Sequence, residues 1–105
     1  MSYQILIQPT AFQEIETSYR WMCDNLSADT ANNWYYELQD AIASLQIFPK
    51  RCLIAPEASI IGREIRQLLI GKRKQYRVLF VVDEEVIAIL HVRHSHQSYV
   101  GETFE

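Results

Sequence analysis

The run Gly62-Arg63-Glu64-Ile65-Arg66-Gln67-Leu68-Leu69-Ile70-Gly71-Lys72-Arg73, followed by Tyr76-Arg77-Val78-Leu79-Phe80 and then Leu90-His91-Val92-Arg93-His94, decides the fold. Each is a short apolar run with arginine or histidine set into it, and charged turns separate them. A cation inside a strand is costly to bury unless it is paired. The pattern therefore points to a sheet with one packed face and one polar face. Three strands are expected, at about 65–70, 76–82 and 86–93, with short connections at 71–75 and 83–85. Connections that short join antiparallel neighbours, so the three strands form a meander.

Upstream, Tyr3, Ile5 and Ile7 alternate and predict a first strand over 3–8, ended by Pro9. Thr10-Ala11-Phe12-Gln13 has the form of a capping box, with Thr10 as N-cap and Gln13 reaching back. Phe12, Ile15, Tyr19, Met22 and Leu26 then step by three and four, which is one face of a helix. Ser27 and Asp29 mark a second helix start. Ala31, Trp34, Leu38, Ala41 or Ile42, and Leu45 carry that helix to about Phe48, where Pro49 stops it. Only a tight turn separates the two helices, so they form an antiparallel hairpin. Residues 49–62 hold two of the three prolines and little period, which predicts a connecting loop. The order β-α-α-β-β-β gives a two-layer α+β domain over residues 1–105. The helix hairpin covers one face of a mostly antiparallel four-stranded sheet, and the other face is left open.

At 105 residues the chain makes one domain with a single core. No apolar run approaches the ~18 residues of a membrane span, and Met1 to Ile5 lacks the basic and apolar regions of a secretory signal. A cytoplasmic protein with no membrane partner is expected. Cys23 and Cys52 are too far apart for a metal motif and are expected to be reduced thiols. With no glycine-rich phosphate loop and no nucleophile elbow, no cofactor is expected either.

The net charge of −3 argues against a nucleic-acid binder, but the charge is unevenly placed. Residues 62–97 carry seven Lys or Arg against four acids, a net of +3, and the rest of the chain carries a net of −6. The sheet half is thus basic and suits a polyanion or an acidic partner peptide. Arg66 and Arg77 sit early in adjacent strands, where together they would grip a phosphate or carboxylate. The plainer alternative pairs each with Glu57 or Glu64. His91, His94 and His96 cluster at the end of the last strand, where an imidazole would donate or accept a proton. Lys72-Arg73-Lys74 is a basic turn, either solvated or touching a nucleic-acid backbone. Trp21 and Trp34-Tyr35-Tyr36 are expected to pack in the core and the hairpin.

The Gly-Arg-Glu-Ile-Arg-Gln-Leu run, the Tyr-Arg-Val-Leu-Phe strand and the Leu-His-Val-Arg-His ending, in that order after a strand and a helix hairpin, resemble the RelE/ParE superfamily of bacterial toxins. The resemblance spans almost the whole chain. It implies the toxin of a type II toxin–antitoxin (plasmid stabilisation) system, neutralised by a cognate antitoxin, as a homodimer or as a hetero-oligomer with it. It also implies one of two targets, mRNA on the ribosome or DNA gyrase. On the RNA-cleaving branch, a metal-independent endoribonuclease, Arg77 would stabilise the phosphate, Arg66 would help to hold it, His94 would be the general acid, and Glu57 or Glu64 the general base. Two departures count against that branch. The chain is net acidic, and only Lys50 and Arg51 stand where several ribosome-dependent members carry a lysine cluster. A third outcome is a non-toxic module of the same fold that keeps only antitoxin binding.

Overall fold

The computed structural model describes residues 3–71 and 73–95, so the expectations placed on Lys72, His96 and the chain beyond lie outside the described residues. Its elements run β1 (Gln4–Ile7), α1 (Pro9–Asn25), α2 (Ala28–Ser44), a 3-10 turn (Pro49–Arg51), β2 (Leu53–Ile54), α3 (Glu57–Ile61), β3 (Arg66–Ile70), β4 (Tyr76–Asp83) and β5 (Val86–His94). The α+β reading holds, with α1 and α2 as a hairpin on one face of the sheet. That sheet has five strands rather than four, in the order β1-β5-β4-β3-β2. β1 joins β5 in parallel, Gln4 opposite Val86 and Ile7 opposite Ile89, while the remaining pairings are antiparallel.

The helix-facing core follows from two periods meeting. Ala11, Ile15 and Met22 of α1, with Ala31, Trp34, Leu38 and Ile42 of α2, lie on Ile70, Val78, Phe80, Ile87, Ile89 and Val92 of the sheet. Truncating the fully buried Phe80 to alanine would cost about 3–5 kcal/mol on transfer and cavity grounds. One irregularity in β5 decides which side chains join this core. Leu79 faces His91 but Phe80 faces Ile89, so Leu90 is an extra residue in the ladder. The bulge brings Val92 and His94 onto the face of Ile87 and Ile89.

The connecting segment departs most from expectation. Residues 49–62 are not a loop; they form the 3-10 turn, the added strand β2 and the short helix α3. Periodicity could not show this, since elements of two to five residues are too short to display a period. α3 also closes part of the face expected to be open, where Ala55, Ile65, Leu79 and Val81 form a second cluster with Ala58, Ala88 and Leu90 packed against it. Likewise α2 stops at Ser44, short of Phe48. Its last carbonyl, that of Ser44, accepts from Arg51 at 3.4 Å, and the same guanidinium donates to the Ile47 and Phe48 carbonyls beyond the helix at 3.0 and 3.2 Å.

The start of α1 differs too. Pro9 does not precede the helix but opens it, and Gln8 is the N-cap, with no side-chain cap bond. A proline at the first position loses nothing, because that N–H has no helical acceptor. The first turn is closed by the Phe12 N–H donating to the Gln8 carbonyl at 2.9 Å. By contrast the Ser27 hydroxyl does cap α2, accepting from the Thr30 N–H at 3.0 Å. Ser27→Ala is therefore expected to lower stability by about 1 kcal/mol in urea unfolding, while Thr10→Ala changes it by less than about 0.5 kcal/mol. Equal losses at the two sites would restore the capping box.

Candidate functional site

Arg77 lies on the face away from the helices, since its neighbours Tyr76 and Val78 point toward them. It is only 5% exposed, because α3 lies over it. The first residue of that helix, Glu57, is itself fully buried and accepts from the Arg77 guanidinium through Oε1. Arg77 Nε donates to Gln67 Oε1 at 3.1 Å. What places Glu57 there is local. Pro56 precedes it, the Ala55 N–H donates to the Ile65 carbonyl at 2.8 Å, and α3 ends after one turn and a half. It ends on Gly62 at φ 81, a left-handed position that glycine takes without a side-chain clash.

Arg66 serves a different end. In register it stands opposite Phe80, on the helix-facing side. Its guanidinium donates to the Cys52 carbonyl at 2.6 Å, to the Lys50 carbonyl at 3.2 Å and to Glu64 Oε2 at 2.8 Å. It pins the 3-10 turn to the sheet. Burial beside it pushes the Cys52 thiol up.

His94 is opposite Tyr76 and shares the helix-facing side. Its ring meets Tyr76 edge-on at 5.1 Å, and Tyr76 in turn lies 5.2 Å from Trp34. Burial raises the Tyr76 phenol above its ordinary value. Trp34 thus packs as expected, but Trp21 and Tyr36 do not, being 55% and 62% exposed.

The four residues singled out from sequence are therefore split. Arg77 and Glu57 meet on one face; Arg66 and His94 are placed on the other. The first pair is a buried ion pair, with Glu57 fully buried and Arg77 5% exposed.

Sequence reasoning missed Glu14. Its carboxylate reaches the edge of β5 beyond the last residue of β1. There Oε1 accepts from the Val92 N–H at 2.9 Å, while Oε2 lies 3.1 Å from His91 Nδ1 and 3.6 Å from Arg93 Nη1. Arg93 stands directly opposite Arg77, so two like charges share a face. Each has its own carboxylate, Glu14 for one and Glu57 for the other. The available signal was an acid three places after Ala11 and next to Ile15, both on the buried stripe of α1. Such an acid needs a partner.

Removing one member of the buried pair leaves the other uncompensated. Glu57→Ala is expected to cost about 3–5 kcal/mol in urea unfolding, and the double change Glu57→Leu with Arg77→Met to recover most of it. A single-variant loss below about 1 kcal/mol would show that the pair does not hold α3 to the sheet.

The comparisons with known proteins agree with this fold. In the solved chromosomal ParDE toxin–antitoxin system from P. aeruginosa, one chain superposes with a TM-score of 0.71 at 15% sequence identity, over 89% of this chain and 96% of that one. No curated protein matches the chain in sequence. Residues 5–99 match the family model described as the ParE toxin of the type II toxin–antitoxin system parDE. With a match over nearly its whole length, the chain belongs to the ParE toxin family.

Proposed function

We propose that this protein is a type II toxin that inhibits DNA gyrase, held inactive by a cognate antitoxin, and that it does not cleave RNA. One observation carries the choice of target. Arg77, which the RNA-cleaving alternative needs beside a scissile phosphate, is 5% exposed and engaged by buried Glu57, on the opposite face from His94. Phosphodiester cleavage by positioned side chains requires the proton donor and the phosphate-stabilising cation to face one space. Here a layer of sheet lies between them. Inhibition of gyrase needs a protein-binding surface rather than such a constellation. Membership of the ParE family supports the same reading.

The test compares two assays on the purified chain. Gyrase-catalysed supercoiling of relaxed plasmid is expected to fall as the chain is added, while mRNA on translating ribosomes stays intact. His94→Gln is expected to inhibit gyrase as the unsubstituted chain does. Cleaved mRNA, lost by roughly a hundredfold or more in His94→Gln, would replace this reading with the nuclease. Neither effect, from folded protein that still binds its antitoxin, would make the chain a binding module only.

A further inference from the structure

The most exposed large apolar side chains among the described residues all stand between positions 47 and 53: Ile47 at 79%, Leu53 at 75% and Phe48 at 67%. The segment that carries them is not loose. Leu45, Pro49, Cys52 and Ala55 are buried, so it is anchored at every third or fourth residue while the side chains between point outward. Its backbone is braced as well. Besides the Ser44, Ile47 and Phe48 carbonyls, the Arg51 guanidinium donates to the Ser44 hydroxyl at 3.0 Å. Gln46 Nε2 ties the start of the segment to the Tyr3 carbonyl at 3.3 Å, and Arg66 holds its end through the Lys50 and Cys52 carbonyls.

Within this frame Phe48 takes a left-handed backbone, φ 56 and ψ 61. That conformation is costly for a residue with a side chain, and persists only where the surroundings impose it. The outcome is a rigid knuckle that holds a phenyl ring in water. A surface already ordered in this way loses little freedom when a partner covers it.

Charge narrows what the partner is. Lys50 and Arg51 are exposed beside these apolar groups, and among the described residues no carboxylate pairs with either. The acceptors of Arg51 are all neutral, so its charge stands uncompensated. The complementary surface is an apolar pocket with an acidic rim. An anionic lipid surface fits less well. The preceding helices, residues 9–44, hold six acids and one base, which such a surface repels, and lipid gains nothing from a braced backbone.

We infer that Ile47, Phe48 and Leu53, with Lys50 beside them, form the surface by which the chain holds gyrase, seated in an acid-rimmed apolar pocket of that enzyme. The inference rests on the gyrase reading and supplies the contact surface which that reading leaves open.

Binding of the full chain to purified gyrase is measured by surface plasmon resonance, with supercoiling of relaxed plasmid followed in parallel. Phe48→Asn deletes the ring but suits the left-handed backbone, and is expected to weaken both binding and inhibition by at least about tenfold. Leu53→Thr is expected to weaken them by roughly fivefold. Lys50→Glu is expected to do the same, by a factor that shrinks as salt is added. These side chains are exposed, so the variants keep the fold, which their thermal unfolding checks. Trp21→Ala removes another exposed ring, near the turn between the helices. Most of the length of α2, itself about 25 Å, separates that turn from Phe48, and this variant is expected to change nothing. Gyrase bound equally well by the unsubstituted chain, Phe48→Asn and Leu53→Thr would overturn the inference and leave the gyrase reading intact. A loss in Trp21→Ala as large as in Phe48→Asn would do the same. So would self-association, seen by sedimentation, that Phe48→Asn abolishes while gyrase binding is unchanged. An unsubstituted chain that neither binds nor inhibits gyrase would remove the reading and the inference together.

Discussion

The ion pair between Arg77 and Glu57 is the constraint on which the far side of the sheet is built. Neither charge is tolerable there alone, since an ion stripped of water costs several kcal/mol unless its partner is close and well aligned. Arg77 is fixed by the central strand, so the carboxylate has to be brought to it. That requirement accounts for the 3-10 turn, the two-residue strand and the five-residue helix between Pro49 and Ile61. It also accounts for the sharp exit at Gly62, which returns the chain to β3 directly after Glu57 has been delivered. The small apolar cluster around Leu79 and Val81 fills in around the pair.

The helix hairpin and the three-strand meander were legible in the sequence because each spans enough residues to show its period. Ala31, Trp34, Leu38 and Ile42 announce α2, and all four are buried. The segment before β3 was illegible for the opposite reason, as its elements are held by tertiary contacts rather than by repeat. The start of α1 was misread because two signals competed there. A capping-box pattern at Thr10 lost to the proline before it, which suits a first helical position better than it suits a strand end. For the site, the sequence showed which residues were chemically unusual but not which faced one another. Arg77 and Glu57 were both on the page as pairing candidates. That their pair would be internal depended on α3, which no pattern revealed.

Charge is handled on the two sides of the molecule in different ways. Around β4 and β5 the cations are taken inward and neutralised one by one, Arg77 by Glu57 and Arg93 by Glu14. On the hairpin the acids largely remain in water, and the aromatic rings among them stay uncovered. The basic excess of the sheet half is therefore smaller at the surface than the residue count suggests. The acidic excess falls by the same two charges, Glu14 and Glu57, and most of the remaining hairpin acids stay exposed.

The parallel pairing of β1 with β5 joins the first strand to the last among the described residues. Pairings between such distant segments form late, because the intervening chain must first be closed into a loop. During synthesis the hairpin emerges well before any strand that can cover it, and β1 has no neighbour until β5 has left the ribosome. The nascent chain therefore passes most of its elongation without a completed sheet. The topology is thus a delay: the sheet is complete only once β5 has been made and has joined β1.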